Sequence, residues 1–178
     1  MKKVFTYILL VFLSLSGCST FQVNKAYRHH DVAVVMYNQF GYEVKDSPVY
    51  EEYITNLNET LRILNRFLAS NATDIEARII LADTFLMLGD ISDQTSYYIH
   101  AQNEAVLVLE TLTPNTKQLA RSCYHLAQAM VGNRSEMREH YNSLKSCQPG
   151  VVVDLSVAEF QDFAKHMEIL DRRFAMPK

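Results

Sequence analysis

The densest run of side chains able to do chemistry is His29-His30-Asp31, three residues that could contribute ligands to a metal ion. Neighbouring positions on a helix point about 100° apart, so one helix could not present all three to one ion, and other segments would have to complete the site. His100, His125, His140 and His166 are isolated, and each reads as an ordinary helix residue. The chain has no H-E-x-x-H, no C-x-x-C, no glycine-rich phosphate loop and no G-x-S-x-G elbow. No metal site, catalytic set or small-molecule cofactor is therefore expected, and the chain reads as a non-enzyme. Cys123 and Cys147 are a candidate disulfide pair. If they lie on two arms of a helical hairpin turning at Gly132, their unequal distances from the turn leave an axial offset of roughly 9 Å at 1.5 Å per residue. That offset exceeds the usual span of a bridge, so a disulfide and two buried free thiols both stay open.

The elements that would hold these residues read as helices throughout. Tyr50, Tyr53, Ile54, Leu57, Leu61, Leu64 and Leu68 recur at steps of three and four, the period of one helix face. The same spacing runs from Ile75 to Leu88, closed by Gly89-Asp90, and from Ala101 to Leu112, closed by Pro114-Asn115. Helices are also expected over Lys117–Val131 and Ser135–Cys147, and Ser156-Val157-Ala158-Glu159 forms a capping box that opens a last helix. Residues 19–25 read as a polar tether. Five Gly and four Pro are few for 178 residues, which disfavours a turn-rich β-sandwich. Ten tyrosines, among them Tyr37, Tyr42, Tyr50, Tyr53, Tyr97 and Tyr98, suit either interfaces or the space between packed helices.

At the N-terminus, Met1-Lys2-Lys3 is a short cationic segment and Val4 to Leu15 an apolar one, too short to span a bilayer that needs about 20 residues. Leu15-Ser16-Gly17-Cys18 follows it and resembles the bacterial lipobox, whose cysteine is lipidated and becomes the first residue of the mature protein. The resemblance implies a signal peptide over 1–17, a covalent lipid on Cys18 and a lipidated tether over 18–25. Ser19, where an aspartate commonly retains such proteins in the inner membrane, implies an outer-membrane lipoprotein facing the periplasm. Disulfides persist in that compartment, and the sequons at Asn58, Asn71 and Asn133 are accidental there. Without Lys2 and Lys3, 15 basic side chains remain against 20 acidic ones, a net charge of −5 with no basic run, which argues against nucleic acid as a partner.

The stretch Leu81-Ala82-x-x-Phe85-x-x-x-Gly89-Asp90, with Ala101, Ala105, Val108 and Pro114-Asn115 after it, resembles a tetratricopeptide (TPR) repeat. Gly132, Met137, Tyr141, Leu144 and Pro149 continue at that family's spacing, and Ala33-Val34-x-x-Tyr37-x-x-x-Gly41 repeats the first-helix pattern upstream. The chain departs from the family in three ways. It has a long expected loop over Asp90–Tyr98, Gln128 where an aromatic is usual, and no tryptophan. The resemblance implies an all-α domain over 26–178, about three stacked antiparallel hairpins with a C-terminal capping helix; a non-repeating helical bundle is the alternative. Carried over position by position, the family's concave face implies partner-binding residues Arg28, Asn38, Gln39, Asp83, Leu86, Met87, Ser122, Leu126, Ala129 and Met130. Lipoproteins of this plan resemble pilotins, which carry secretin subunits to the outer membrane. The implied function is a membrane-anchored adaptor or assembly factor that binds a protein of an envelope machine. Adaptors for peptidoglycan-remodelling enzymes, a cell-wall hydrolase and a purely structural or immunity-type lipoprotein are the alternatives.

Overall fold

Between Cys18 and Gln39 the chain contains neither glycine nor proline, and Val23, Ala26, His30 and Ala33 fall at steps of three and four. All four are buried, and the segment is helical throughout. The computed structural model describes the backbone of residues 2–147 and 152–175 and the side chains of residues 21–147, 152 and 154–175. The side chains of Leu15-Ser16-Gly17-Cys18 lie outside the described residues, as does Pro149. The expected tether over 18–25 lies within helix α1, Lys2–Phe40, because nothing in its sequence stops a helix, and its Val23 is buried while Phe21 is exposed. Among the described residues no helix is long and apolar enough to cross a membrane.

The protein is all-α and built of helical hairpins, with seven α-helices and two short 3-10 turns among the described residues. It divides into two compact units, Met1–Ala72 and Thr73–Lys178, where the sequence reading had one domain over 26–178. In the first unit, α1 turns through a 3-10 segment, Gly41–Asp46, into α2, Tyr50–Leu68. Gly41 takes φ +56°, a left-handed conformation that favours glycine. Small Ala26 and Ala33 on α1 allow close approach, and Tyr53, Leu57 and Leu64 of α2 are fully buried. The Thr60 hydroxyl donates to the Asn56 carbonyl at 2.9 Å and reaches the Ala26 carbonyl at 3.4 Å, so a buried polar group is satisfied inside this hairpin.

The second unit comprises α3 (Ile75–Ser92), α4 (Thr95–Thr111), α5 (Thr116–Gly132), α6 (Arg138–Lys145) and α7 (Val157–Ala175). α3 and α4 form one hairpin and α5 and α6 the next; α3 packs along α5, and α5 along α7. The expected loop over Asp90–Tyr98 is absent. α3 continues past Gly89 to Ser92, and only Asp93-Gln94 separates it from α4. Asp93 closes α3 at φ +54°, its N–H donating to the Gly89 carbonyl at 3.0 Å. Gly132 ends α5 as expected, whereas Gly89 lies inside α3 and is not a stop, and both glycines have a further role. They make room for the Tyr98 ring, since a Cβ on Gly89 would sit 3.0 Å from that ring and one on Gly132 only 2.5 Å.

Caps fix the helix starts. Asp74 accepts from the Ala77 amide at 2.9 Å, Asn115 and Gln118 exchange bonds of 2.9 and 3.1 Å, and Ser156 and Glu159 form the capping box expected of them. Cys123 and Cys147 are disulfide-bonded with α-carbons 6.2 Å apart. The hairpin argument had counted every residue after Gly132 as helix. Residues 133–137 form a turn instead, so the arm from Gly132 back to Cys123 and the arm down α6 to Cys147 are matched at roughly 13 Å each.

Candidate partner-binding face

Glu76, Asp83 and Asp90 stand seven residues apart on α3, close to two helical turns, and so line one edge of it. α5 answers each of them. Arg121 donates to Glu76 at 3.3 Å, the His125 ring nitrogen lies 3.6 Å from the Asp83 carboxylate, and the Gln128 amide donates to Asp90 at 3.4 Å. Asp90 also accepts from the Tyr98 hydroxyl at 2.8 Å, the same ring that the two glycines admit. These three rungs tie α3 to α5 along their length.

Tyr124 lies beside the ladder, half-buried, its ring 5.8 Å from that of His125 and 6.4 Å from that of His166 on α7. Burial pushes its hydroxyl well above the ordinary tyrosine range, and the carboxylates of Asp162, Asp83, Glu159 and Asp90 push in the same direction. Two of these acids, Asp83 and Asp90, stand on α3 and two, Glu159 and Asp162, on α7. Burial pushes His166 downward against the pull of Asp162, with Lys165 adding to the decrease. Asp162 is paired with Lys165 at 3.1 Å and Glu159 accepts from the Ser156 amide, so the face presents an aromatic ring beside carboxylates that already have partners.

Six of the ten residues expected to bind a partner are core residues. Leu86, Met87, Ser122, Leu126, Ala129 and Met130 are buried, Leu86 and Ala129 within one cluster with Ala101, and Leu126 and Met130 within the main core. The physical reason lies in α3 and α5, which pack on two or more helices each, so that positions that would be open in a regular array are covered. The Ser122 hydroxyl is buried without a hydrogen-bond partner among the described residues. Asp83 is half-buried and does belong to the exposed edge. Arg28, Asn38 and Gln39 are exposed on α1 of the first unit. Tyr124, Asp90, Gln128, Asp162 and His166 were not singled out; the seven-residue spacing of acids on α3 is the signal that marks their face.

The His29-His30-Asp31 run is divided as helical geometry requires. His29 bonds to the Asn56 side chain at 2.7 Å, His30 is buried and Asp31 is exposed. No three His, Cys, Asp or Glu side chains converge as a metal site among the described residues. A separate cleft of about 530 Å³ opens where α6 and α7 diverge, walled by Leu144, Cys147, Val152, Phe160, Phe163 and Met167. On its lip Arg172 pairs with Glu168 at 2.9 Å and Asp171 accepts from the Tyr141 hydroxyl. Comparison with protein-family models, curated proteins and solved structures finds no match to this chain.

Proposed function

We propose that this chain is a lipid-anchored, non-enzymatic adaptor of the bacterial outer membrane, which holds a protein partner of an envelope machine such as a secretin, pilus or secretion assembly. The anchor rests on Leu15-Ser16-Gly17-Cys18 behind a short apolar segment. Several acyl chains on one cysteine attach a protein far more durably than one does. The single observation that supports partner binding is the half-buried Tyr124 of α5, which the carboxylates of Asp83 and Asp90 on α3 and of Glu159 and Asp162 on α7 all influence. Its chemistry fits a partner segment bearing lysine or arginine, whose charge meets the carboxylates and whose stem can lie on the tyrosine ring. The buried residues carried over from the TPR resemblance are not part of this site.

A photo-crosslinking residue at Gln128 in intact cells tests the reading. It should capture a protein, and Asp83→Lys with Asp162→Lys should abolish the capture; capture unaffected by charge reversal would refute the assignment of the face. Cys18→Ser should move the protein from the membrane to the soluble periplasmic fraction, and retention in the membrane would refute the anchor.

A further inference from the structure

Gln102 of α4 is almost fully buried and stands at the centre of a hydrogen-bonded chain whose direction is set by the backbone. The Ser135 amide, which can only donate, points at the Asn133 side-chain oxygen at 2.7 Å. That contact turns the Asn133 NH₂ toward the Gln102 oxygen, 2.5 Å away. The Gln102 NH₂ is then left facing the Nδ1 of His140 at 2.6 Å, with the Met137 sulfur as a second acceptor at 3.5 Å. Each amide has one orientation available, because reversing either would set donor against donor further up the chain. His140 Nδ1 must accept, so the ring is neutral with its proton on Nε2.

From this directional lock we infer that α6 is a strap with a proton-sensitive catch. Adding a proton to His140 Nδ1 places an N–H against the Gln102 N–H, and the link between α4 and the first turn of α6 is lost. Gln102 cannot reverse to accept, since Asn133 and the Ser135 amide hold it. The other end of α6 stays fixed by the Cys123–Cys147 disulfide, so loosening is confined to the segment from Met137 to about Tyr141. The charged groups that flank His140 in sequence are Arg134 of the turn and Glu136, Arg138 and Glu139 at the start of α6, and Glu110 of α4 accepts from Ser143 of α6 at 2.7 Å. Arg138 also donates to the Phe174 carbonyl at 3.0 Å, which keeps the helix on α7 while the catch is open.

Amide hydrogen exchange, corrected for intrinsic rate, tests the proposal between pH 7.5 and 5.0. Protection of the amides of residues 141–143, the first in α6 with acceptors inside the helix, should fall about tenfold more than protection within α5, the size expected from losing one hydrogen bond. His140→Gln keeps an acceptor that cannot be charged, and should retain the protection at pH 7.5 and lose the pH response. Gln102→Glu gives protonated His140 an acceptor and should reverse the response, with tighter protection at pH 5.0. Imidazole nitrogen shifts of the unmodified protein should show the Nε2–H form at pH 7.5. A pH response that persists in His140→Gln, or an Nδ1–H ring at pH 7.5, overturns the inference. His100, two residues before Gln102 and stacked on Phe85 at 5.0 Å, is untouched by these variants and serves as an internal control.

Discussion

Single side chains in this protein act mostly through what they exclude. The Tyr98 ring lies between Gly89 and Gly132, and the Gly132 approach leaves no room for a methyl group. Gly132→Ala should destabilise the second unit by about 1–3 kcal/mol, the usual effect of overpacking, read as a lower urea midpoint with an unchanged slope. His166 carries a different kind of strain. Its Nδ1 is buried without a hydrogen-bond partner among the described residues, and burial lowers its proton affinity in the folded state. Because the unfolded chain binds that proton more tightly, stability is full above the ordinary histidine range and falls as pH drops through it. Urea midpoints measured from pH 8 to pH 5 should therefore decline, and His166→Gln should flatten the decline; an identical slope in the variant would show that other groups cause it.

Among the elements, helix type was legible and helix ends were not always so. The Ser156/Glu159 box was readable because a cap depends on residues three apart in sequence. α3 overran its expected end because Gly89 looks like a stop until the Tyr98 ring is seen against it. The disulfide could not be decided for a similar reason, since the length of the turn over 133–137 sets whether the two arms match. α6 has only eight residues, too few to be stable alone, so the bridge is expected to hold its C-terminal end. Replacing Cys123 and Cys147 together by serine should lower stability by about 2–4 kcal/mol. Exchange should accelerate first in α6, and equal acceleration in α3 would argue against a local role.

At the level of the whole molecule, the division at Ala72 and Thr73 carries a direct consequence. Ser70, Asn71, Ala72 and Thr73 are all exposed between α2 and α3. Brief proteolysis should cut there first and release a fragment beginning near Thr73 that keeps its helical circular dichroism and its cooperative unfolding. A fragment that unfolds on cleavage would show that the two units depend on each other. The proposed adaptor role assigns the units separate tasks, with the anchor on the N-terminal side of the first and the acidic, tyrosine-centred face in the second.

The sequence by itself determined the all-α class and the pairing of helices into hairpins, because each depends on residues a few positions apart. Which residues are open to a partner was decided only by tertiary structure. Periodicity places a side chain on a helix face, but burial depends on how many neighbours that helix has. Leu86, Leu126 and Met130, which the TPR resemblance placed on an open groove, are core because α3 and α5 are covered on several sides. Asp83, Asp90 and Tyr124 form one charged face only once α3, α5 and α7 lie together. The same holds for His140, whose hydrogen-bonding role is dictated by a backbone amide through two amide side chains, one of them on another helix.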